Sequence, residues 1–410
     1  MVRTVEGAVP WGLVGVMAGT AVLSHGLRPL AGYRAVEMGA SAFEIGLLAS
    51  AFAFGALVLA LPGGRLIDRI GPGPVIILAC VLLPASVTAA ALAVSLPVLI
   101  VSASAFGIGQ ILAVVALQSA VARDRTPSQL DSVFGWLTAG TSVGQVLGPL
   151  LALALPGLVS TGATATGLLI LLGVSAAVGS GGVIVGVRLR TAVPHVREAR
   201  GRGSARILRI PGMPVAFVAS GVVLACLDLL AVFLPLWAAE NGVSRSAAGV
   251  LLATRGAVSL VSRLGLAALA RRISRRTLIV GSTGAGAGAF ALLPALDFWG
   301  ATVAMVVIGF GFGLVQPLTL TWVASVVAPA SRGAALGLRM MSNRLVQVVL
   351  PLGIGVLSTP LAFLGSSSSR SLILSAVALG VSAVASASAS WDIDGPDDHE
   401  PPTDDTVQNI

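Results

Sequence analysis

Twelve apolar stretches of roughly bilayer length constrain this chain more than any motif: residues 9–31, 43–63, 74–94, 97–120, 132–155, 165–187, 212–237, 246–269, 277–295, 299–325, 335–359 and 371–390. In lipid every backbone amide and carbonyl has to be bonded inside the protein, so an isolated spanning run is a helix. The ten-residue alternation of a membrane barrel is absent. The expected fold class is therefore all-α integral membrane, with twelve transmembrane helices. Composition agrees, since 56% of the 410 residues are hydrophobic, 10% are charged and the mean hydropathy is +0.96. The first stretch is longer than a signal-peptide core and is read as a retained first helix.

A net charge of +8 raises the question of a nucleic-acid partner. Every basic residue is an arginine, and their placement answers it. If the chain starts inside, Arg3, Arg65, Arg69, Arg123, Arg125, Arg188, Arg190, Arg197, Arg200, Arg202, Arg206, Arg209, Arg271, Arg272, Arg275, Arg276 and Arg332 are cytoplasmic. Only Arg34, Arg245 and Arg370 are external. This asymmetry is the positive-inside rule. It predicts both termini in the cytoplasm of a cell (plasma or inner) membrane protein, bathed in lipid and with no nucleic-acid partner. Cys80 and Cys226 fall inside apolar stretches and suggest neither a disulfide framework nor a metal site.

The two halves read as copies. Gly39, Ser41, Gly46 and Leu48 reappear as Gly242, Ser244, Gly249 and Leu251, each 203 residues on, and Pro149 is matched by Pro351. A six-plus-six duplication of this kind lets a transporter build one site between two bundles. The predicted organisation is a six-helix bundle over 1–187, a basic cytoplasmic linker over 188–211, a second bundle over 212–390, and an acidic, disordered tail over 391–410. The linker reads either as a solvated segment enforcing topology or as a binder of anionic lipid headgroups. Ser41 with Glu44 forms a capping box at the start of helix 2, and Ser244 can cap helix 8.

Between helices 2 and 3 lies a charged knot, Gly64-Arg65-Leu66-Ile67-Asp68-Arg69-Ile70-Gly71, read as a tight turn. The spacing Gly-x-x-x-Asp-Arg-x-Gly resembles the helix 2–3 loop of the major facilitator superfamily of secondary transporters. Pro72 and Gly73 stand where that pattern continues with basic residues, and the second half keeps the basic tail as Arg275 and Arg276. The resemblance implies a conformational gate at Gly64, Asp68, Arg69 and Gly71, with Asp68 meeting the start of helix 11. Gly144, Gly148 and Pro149 in helix 5 allow close packing and a bend; their spacing also resembles the helix-5 signature of drug exporters in the superfamily. Ala152 and Leu153 replace its closing glycine pair, and Ala103 stands where such exporters often carry a helix-4 arginine.

Charges inside a bilayer are costly and mark function by default. This chain has His25 and Arg28 in helix 1, Asp228 in helix 7, Arg255 in helix 8 and Arg344 in helix 11. By depth, Asp228 and Arg255 match, giving either a structural ion pair or an aspartate alternating between paired and protonated states. The repeat also sets His25 against Asp228. His25 is a proton carrier or a neutral, hydrogen-bonded ring, and Arg344 holds a substrate anion or carbonyl, or the backbone at a kink. Arg28 and Arg263 lie near helix ends and can snorkel.

The resemblance implies alternating access with helices 1, 4, 7 and 10 around a central cavity. The functional expectation is proton-coupled export of a small apolar, neutral or anionic compound such as a drug or metabolite. Proton-coupled uptake of an anionic metabolite is the alternative, and a non-transporting membrane sensor a remoter one. No cofactor beyond the proton gradient is expected, no enzyme constellation is evident, and a monomer is taken as the working unit.

Overall fold

The computed structural model describes residues 11–122, 127–159, 163–189, 207–327, 332–358, 360–361 and 365–389. Among them run twelve long helices: α1 (Trp11–Glu37), α2 (Ala42–Ile70), α3 (Pro72–Ala91), α4 (Leu96–Ala122), α5 (Pro127–Pro149, continuing through a π-helical turn Leu150–Ala154 to Leu155–Val159) and α6 (Ala163–Leu189). The second set is α7 (Met213–Glu240), α8 (Arg245–Ala270), α9 (Arg275–Leu292, ending in a 3₁₀ turn Leu293–Ala295), α10 (Phe298–Val326), α11 (Arg332–Ser358) and α12 (Ser367–Ser388). Eleven are long and apolar enough to cross a membrane. The other is α1, diluted by His25, Arg28, Arg34 and Glu37.

Every helix begins or ends within several residues of its apolar stretch. Most overrun it with polar residues, because hydropathy marks the buried length of a helix and caps mark its ends. Ser41 and Glu44 close the predicted box, with Ser41 N–H donating to Glu44 Oε2 at 2.8 Å and Glu44 N–H to Ser41 Oγ at 3.3 Å. Ser244 Oγ accepts from Ala247 N–H at 3.2 Å.

The duplication is visible in the packing. Within the first set α1 lies on α5 and α6, α3 on α4 and α6, and α2 on α4; the second set repeats this as α7 on α11 and α12, α9 on α10 and α12, and α8 on α10. Between the sets, α1 meets α7, α2 meets α11, and α8 meets α5. The last two are images of each other, down to the residues. A Cβ on Gly46 would stand 2.7 Å from the Pro351 carbonyl of α11, and one on Gly249 would stand 3.0 Å from the Pro149 carbonyl of α5. The glycine and proline pairs noted in the sequence are thus the two symmetric contact points. Pro149 also has no N–H for the Gln145 carbonyl, and that freed oxygen is the atom a Cβ on Gly256 of α8 would meet at 2.6 Å.

These contacts gather at the face where α1 ends and α2 begins, here the Glu37 face. Toward the opposite face, here the knot face, the described close approaches of α1 are to α5 and α6 (Val14 to Gly140, Gly12 to Val185), and those of α7 are to α11 (Gly221 to Val346). The two sets are therefore pressed together at the Glu37 face. One apolar core runs through both, and a second, around Phe217, Leu278, Trp322 and Ala335, fills the knot-face end of the second set.

Two readings are corrected. The knot is helix for most of its length: α2 continues to Ile70, and the turn is Gly71 alone, at φ +81°, followed by Pro72 opening α3. A left-handed residue with proline at the first helical position turns the chain in one step. Residues 207–211, read as the end of the basic linker, instead bury Ile207 among Met213 and Phe217, and Gly212, also left-handed, admits α7. The side chains at Gly64, Arg65 and Asp68, most of the 188–211 linker and the tail after residue 390 lie outside the described residues.

Candidate functional site

The centre of the molecule is crossed by one chain of polar contacts. Arg28 of α1 is fastened by its own helix, donating to Ser24 Oγ and, at 3.4 Å, to the Ser24 carbonyl. Its guanidinium stands 5.3 Å over the Phe52 ring of α2, a geometry in which the ring face attracts the cation. Arg28 Nε then reaches across to the second set and meets Asp228 Oδ1 of α7 at 3.4 Å. Asp228 Oδ2 accepts from Gln347 Nε2 of α11 at 2.7 Å, and Gln347 Oε1 accepts from Arg344 Nη1 at 3.1 Å. The Asp228 side chain is 17% exposed and that of Arg28 7%. Asp228 sits about 18 Å from the Glu240 end of α7 and about 22 Å from the Met213 end by helical rise, near the middle of its helix.

This differs from the expected pairing in an instructive way. Asp228 pairs with Arg28 rather than Arg255, and Arg28, one turn on from His25, occupies the place the repeat assigned to His25. Counted along their helices, Asp228, Arg255 and His25 lie at similar distances from the Glu37-face ends; rotation about the axis decided the partner. Arg28 is consequently not a snorkelling residue. Arg255 is 6% exposed and makes no hydrogen bond or ion pair among the described residues, though it lies in the field of both Asp228 and Arg263. His25 is half-buried, with Nδ1 2.9 Å from the Ala21 carbonyl, which can only accept, so Nδ1 is the donor. This is the contact that a hydrogen-bonded ring makes, and it is equally open to a proton carrier. His25 also stands in the field of Arg28, Arg255 and Arg263. Arg263 donates to Ser142 Oγ of α5 at 3.2 Å, joining the sets where snorkelling was expected.

The helix-5 residues serve packing. A Cβ on Gly148 would stand 2.8 Å from the Gly26 amide nitrogen and the Val22 carbonyl, and Gly144 abuts Ala21. They hold the α1 segment carrying His25 and Arg28 against α5. Of the gate residues, Gly71 makes the turn and Arg69 is exposed.

Two clusters escaped the sequence reading. At the Glu37 face, Arg245 of α8 bonds Glu37 Oε1 at 2.8 Å and also the Thr164 hydroxyl of α6, and lies 5.1 Å over the Tyr33 ring. Arg34 adds a contact to Glu37 Oε2 at 3.4 Å. Burial alone would raise the Glu37 pKa, but the Thr164 hydroxyl, the Arg245 charge and the arginine hydrogen bonds outweigh it and hold the carboxyl below its ordinary value. Within the second set, Arg339 of α11 donates to Thr319 Oγ1 at 2.8 Å and to Gln316 Oε1 at 2.9 Å. Arg339, Asn343 and Gln347 form one buried stripe at i, i+4 and i+8, a spacing readable in the sequence as a polar line on one helix face.

Two equivalent six-helix sets, pressed together at one face and joined through buried charges at the centre, have the build of a secondary transporter in a membrane. The chain belongs to the Major Facilitator Superfamily, whose family description matches residues 12–351. Solved structures with this fold include the nucleoside transporter NupG (16% identity, 92% of this chain and 96% of that one, TM-score 0.68). A bacterial homologue of the human lysosomal transporter Spinster, in an inward-facing and occupied conformation, matches at 17% identity over 92% and 95% (TM-score 0.70). A D-xylose-proton symporter matches at 15% identity over 94% and 97% (TM-score 0.70). Comparison with curated proteins returns no match. The protein is a multi-pass membrane transporter, not an enzyme.

Proposed function

We propose that this protein is a proton-coupled secondary transporter of a small neutral or anionic compound, working by alternating access and exporting its cargo. The observation that carries the reading is the Arg28–Asp228 contact, a largely enclosed ion pair made between the two six-helix sets. With Asp228 charged, the pair ties the sets together on the Glu37-face side. A proton on Asp228 removes the attraction, so proton occupancy biases which face is open. The arginine distribution makes the Glu37 face external and the knot face cytoplasmic. The conformation is then an inward-facing one, with 1–187 and 212–390 as the moving units and Gly64, Asp68, Arg69 and Gly71 as the gate that meets the second set when the cytoplasmic side closes. Both termini lie in the cytoplasm of a cell membrane.

One observation favours uptake as a second reading. Arg28 and Arg344 flank Asp228 from either side, so an anion that displaces Asp228 from Arg28 leaves the carboxylate free to take a proton, and the two travel together.

The test is proton flux in liposomes holding the purified protein, wild type beside Asp228→Asn, with neutral, anionic and cationic compounds added outside. A compound that moves protons through the wild type and not through the variant supports coupling at Asp228, and the sign of the flux gives the direction. Equal responses of the two proteins refute it.

A further inference from the structure

The central network is out of electrical balance. Arg28, Arg255, Arg263 and Arg344 carry four positive charges, and Asp228 is the acid that faces them among the described residues, which leaves an excess of three. His25 carries no negative charge in any protonation state and adds no compensation. The four arginines come from α1, α8 and α11. By helical rise Arg28, Arg255 and Arg344 lie about 14 Å or more from either end of their helices, too deep for a guanidinium to reach the headgroups by snorkelling, and Arg263, about 10 Å from the Ala270 end of α8 by the same count, is turned to Ser142 instead. They act on one another through the same point: Arg344 feels both Asp228 and Arg28, and Arg255 feels both Asp228 and Arg263.

Uncompensated charge at that depth is costly and is retained where a pathway or ligand uses it. Arg28 and Arg344 each have a partner that the fold provides. Arg255 does not: it is 6% exposed, and while the Nε of Arg28 and of Arg263 is likewise buried without a hydrogen-bond acceptor, Arg255 alone of the four makes no hydrogen bond or ion pair among the described residues through any of its guanidinium nitrogens. A polar group so placed points to something that completes it. The nearby arginine, Arg263, offers only a serine hydroxyl as its own partner. The missing element is therefore negative: one anionic group answers Arg255, and of the three positive charges in excess two then remain, with Arg28 and Arg344 standing beside Asp228.

We infer that the cargo site takes a dianion, with one anionic group bound by Arg255 and Arg263 of α8 and the other by Arg28 and Arg344 beside Asp228. This rests on the transporter reading of the centre and narrows its substrate class from neutral or anionic to doubly anionic, a dicarboxylate or a compound of similar charge. Bidentate arginine contacts suit planar carboxylates and phosphate oxygens alike.

The experiment uses one ring with graded charge: benzamide, benzoate, and the three dicarboxylates phthalate, isophthalate and terephthalate, which space their charges differently. Binding to the purified full chain in detergent, near neutral pH, is read from thermal stabilisation, which grows with ligand over its dissociation constant. At least one dicarboxylate is expected to bind about tenfold or more tighter than benzoate, with benzamide inert. Arg255→Gln should bring that dicarboxylate to the benzoate level, and Arg255→Lys should retain part of the preference. If no dicarboxylate binds tighter than benzoate, or if Arg255→Gln leaves the preference intact, the inference is overturned. Asp228→Asn separates the two claims: loss of coupled flux with the dianion preference kept supports both, whereas flux that survives in Asp228→Asn refutes coupling and leaves the dianion site standing.

Discussion

Two ion pairs among the described residues join the six-helix sets, and they are built differently. At the Glu37 face, Glu37 and Arg245 are each about a third exposed, and Thr164 and Tyr33 help to hold them. At the centre, Arg28 and Asp228 are far more enclosed, and three further arginines surround them. Water screens the first pair, so it contributes about 0–1 kcal/mol. The second cannot lose one member without leaving a buried charge alone, which costs about 3–5 kcal/mol in comparable cases. The outer pair is a latch that adds to close helix packing. The inner pair is where a small change in charge has a large consequence.

The largest effect should come from breaking the inner pair. Asp228→Asn is expected to destabilise the purified protein by roughly 3 kcal/mol in thermal unfolding, and adding Arg28→Gln should recover much of that, because the uncompensated guanidinium is then gone. If the double variant is as unstable as the sum of the singles, the two groups do not act as a pair.

Next come the symmetric glycine–proline contacts that press the Glu37 face shut. Gly46→Val and Gly249→Val each place a side chain against a carbonyl 2.7 to 3.0 Å from the new Cβ. Each should cost about 1–3 kcal/mol and expose a cysteine introduced at Ser50 of α2 to external thiol reagents. The pseudo-symmetry predicts similar effects for the two, so a strong effect at one and none at the other would argue against equivalent halves.

The smallest effect belongs to the latch. Glu37 has its pKa lowered in the folded protein, so its contribution is fully present above the unfolded carboxylate value of about 4.3 and is lost as pH falls through the lower folded one. Sealing of the Glu37 face should therefore be flat through neutral pH and loosen only in acid. Glu37→Gln should remove that acid step at a cost of less than about 1 kcal/mol, as measured by labelling accessibility against pH. A step near neutral pH would place the sensitive group elsewhere.

The sequence made much of the fold legible because the bilayer turns each span into a local, length-limited signal. The duplication was also legible: Gly46, Gly249, Pro149 and Pro351 were visible as matches before their contacts were known. The partners of the buried charges were not. Asp228 sits at a depth shared with Arg255 and His25, and sequence position reports depth well but rotation poorly when a helix is apolar on every side. Arg28 looked like a headgroup-seeking residue for the same reason. Arg339 lies only seven residues inside α11 and drew no notice, although its four-residue spacing to Asn343 and Gln347 marked a polar stripe. The Glu37 latch is assembled from three helix ends far apart in sequence, which no local pattern joins.

The central claim is that charged Asp228, held by Arg28, keeps the Glu37 face closed. Pulsed electron resonance between spin labels at Ala40 and Asn241, one on each set at that face, measures this without any cargo. The account predicts a single short distance in the wild type and a second, longer population in Asp228→Asn. Identical distance distributions in the two proteins would contradict it.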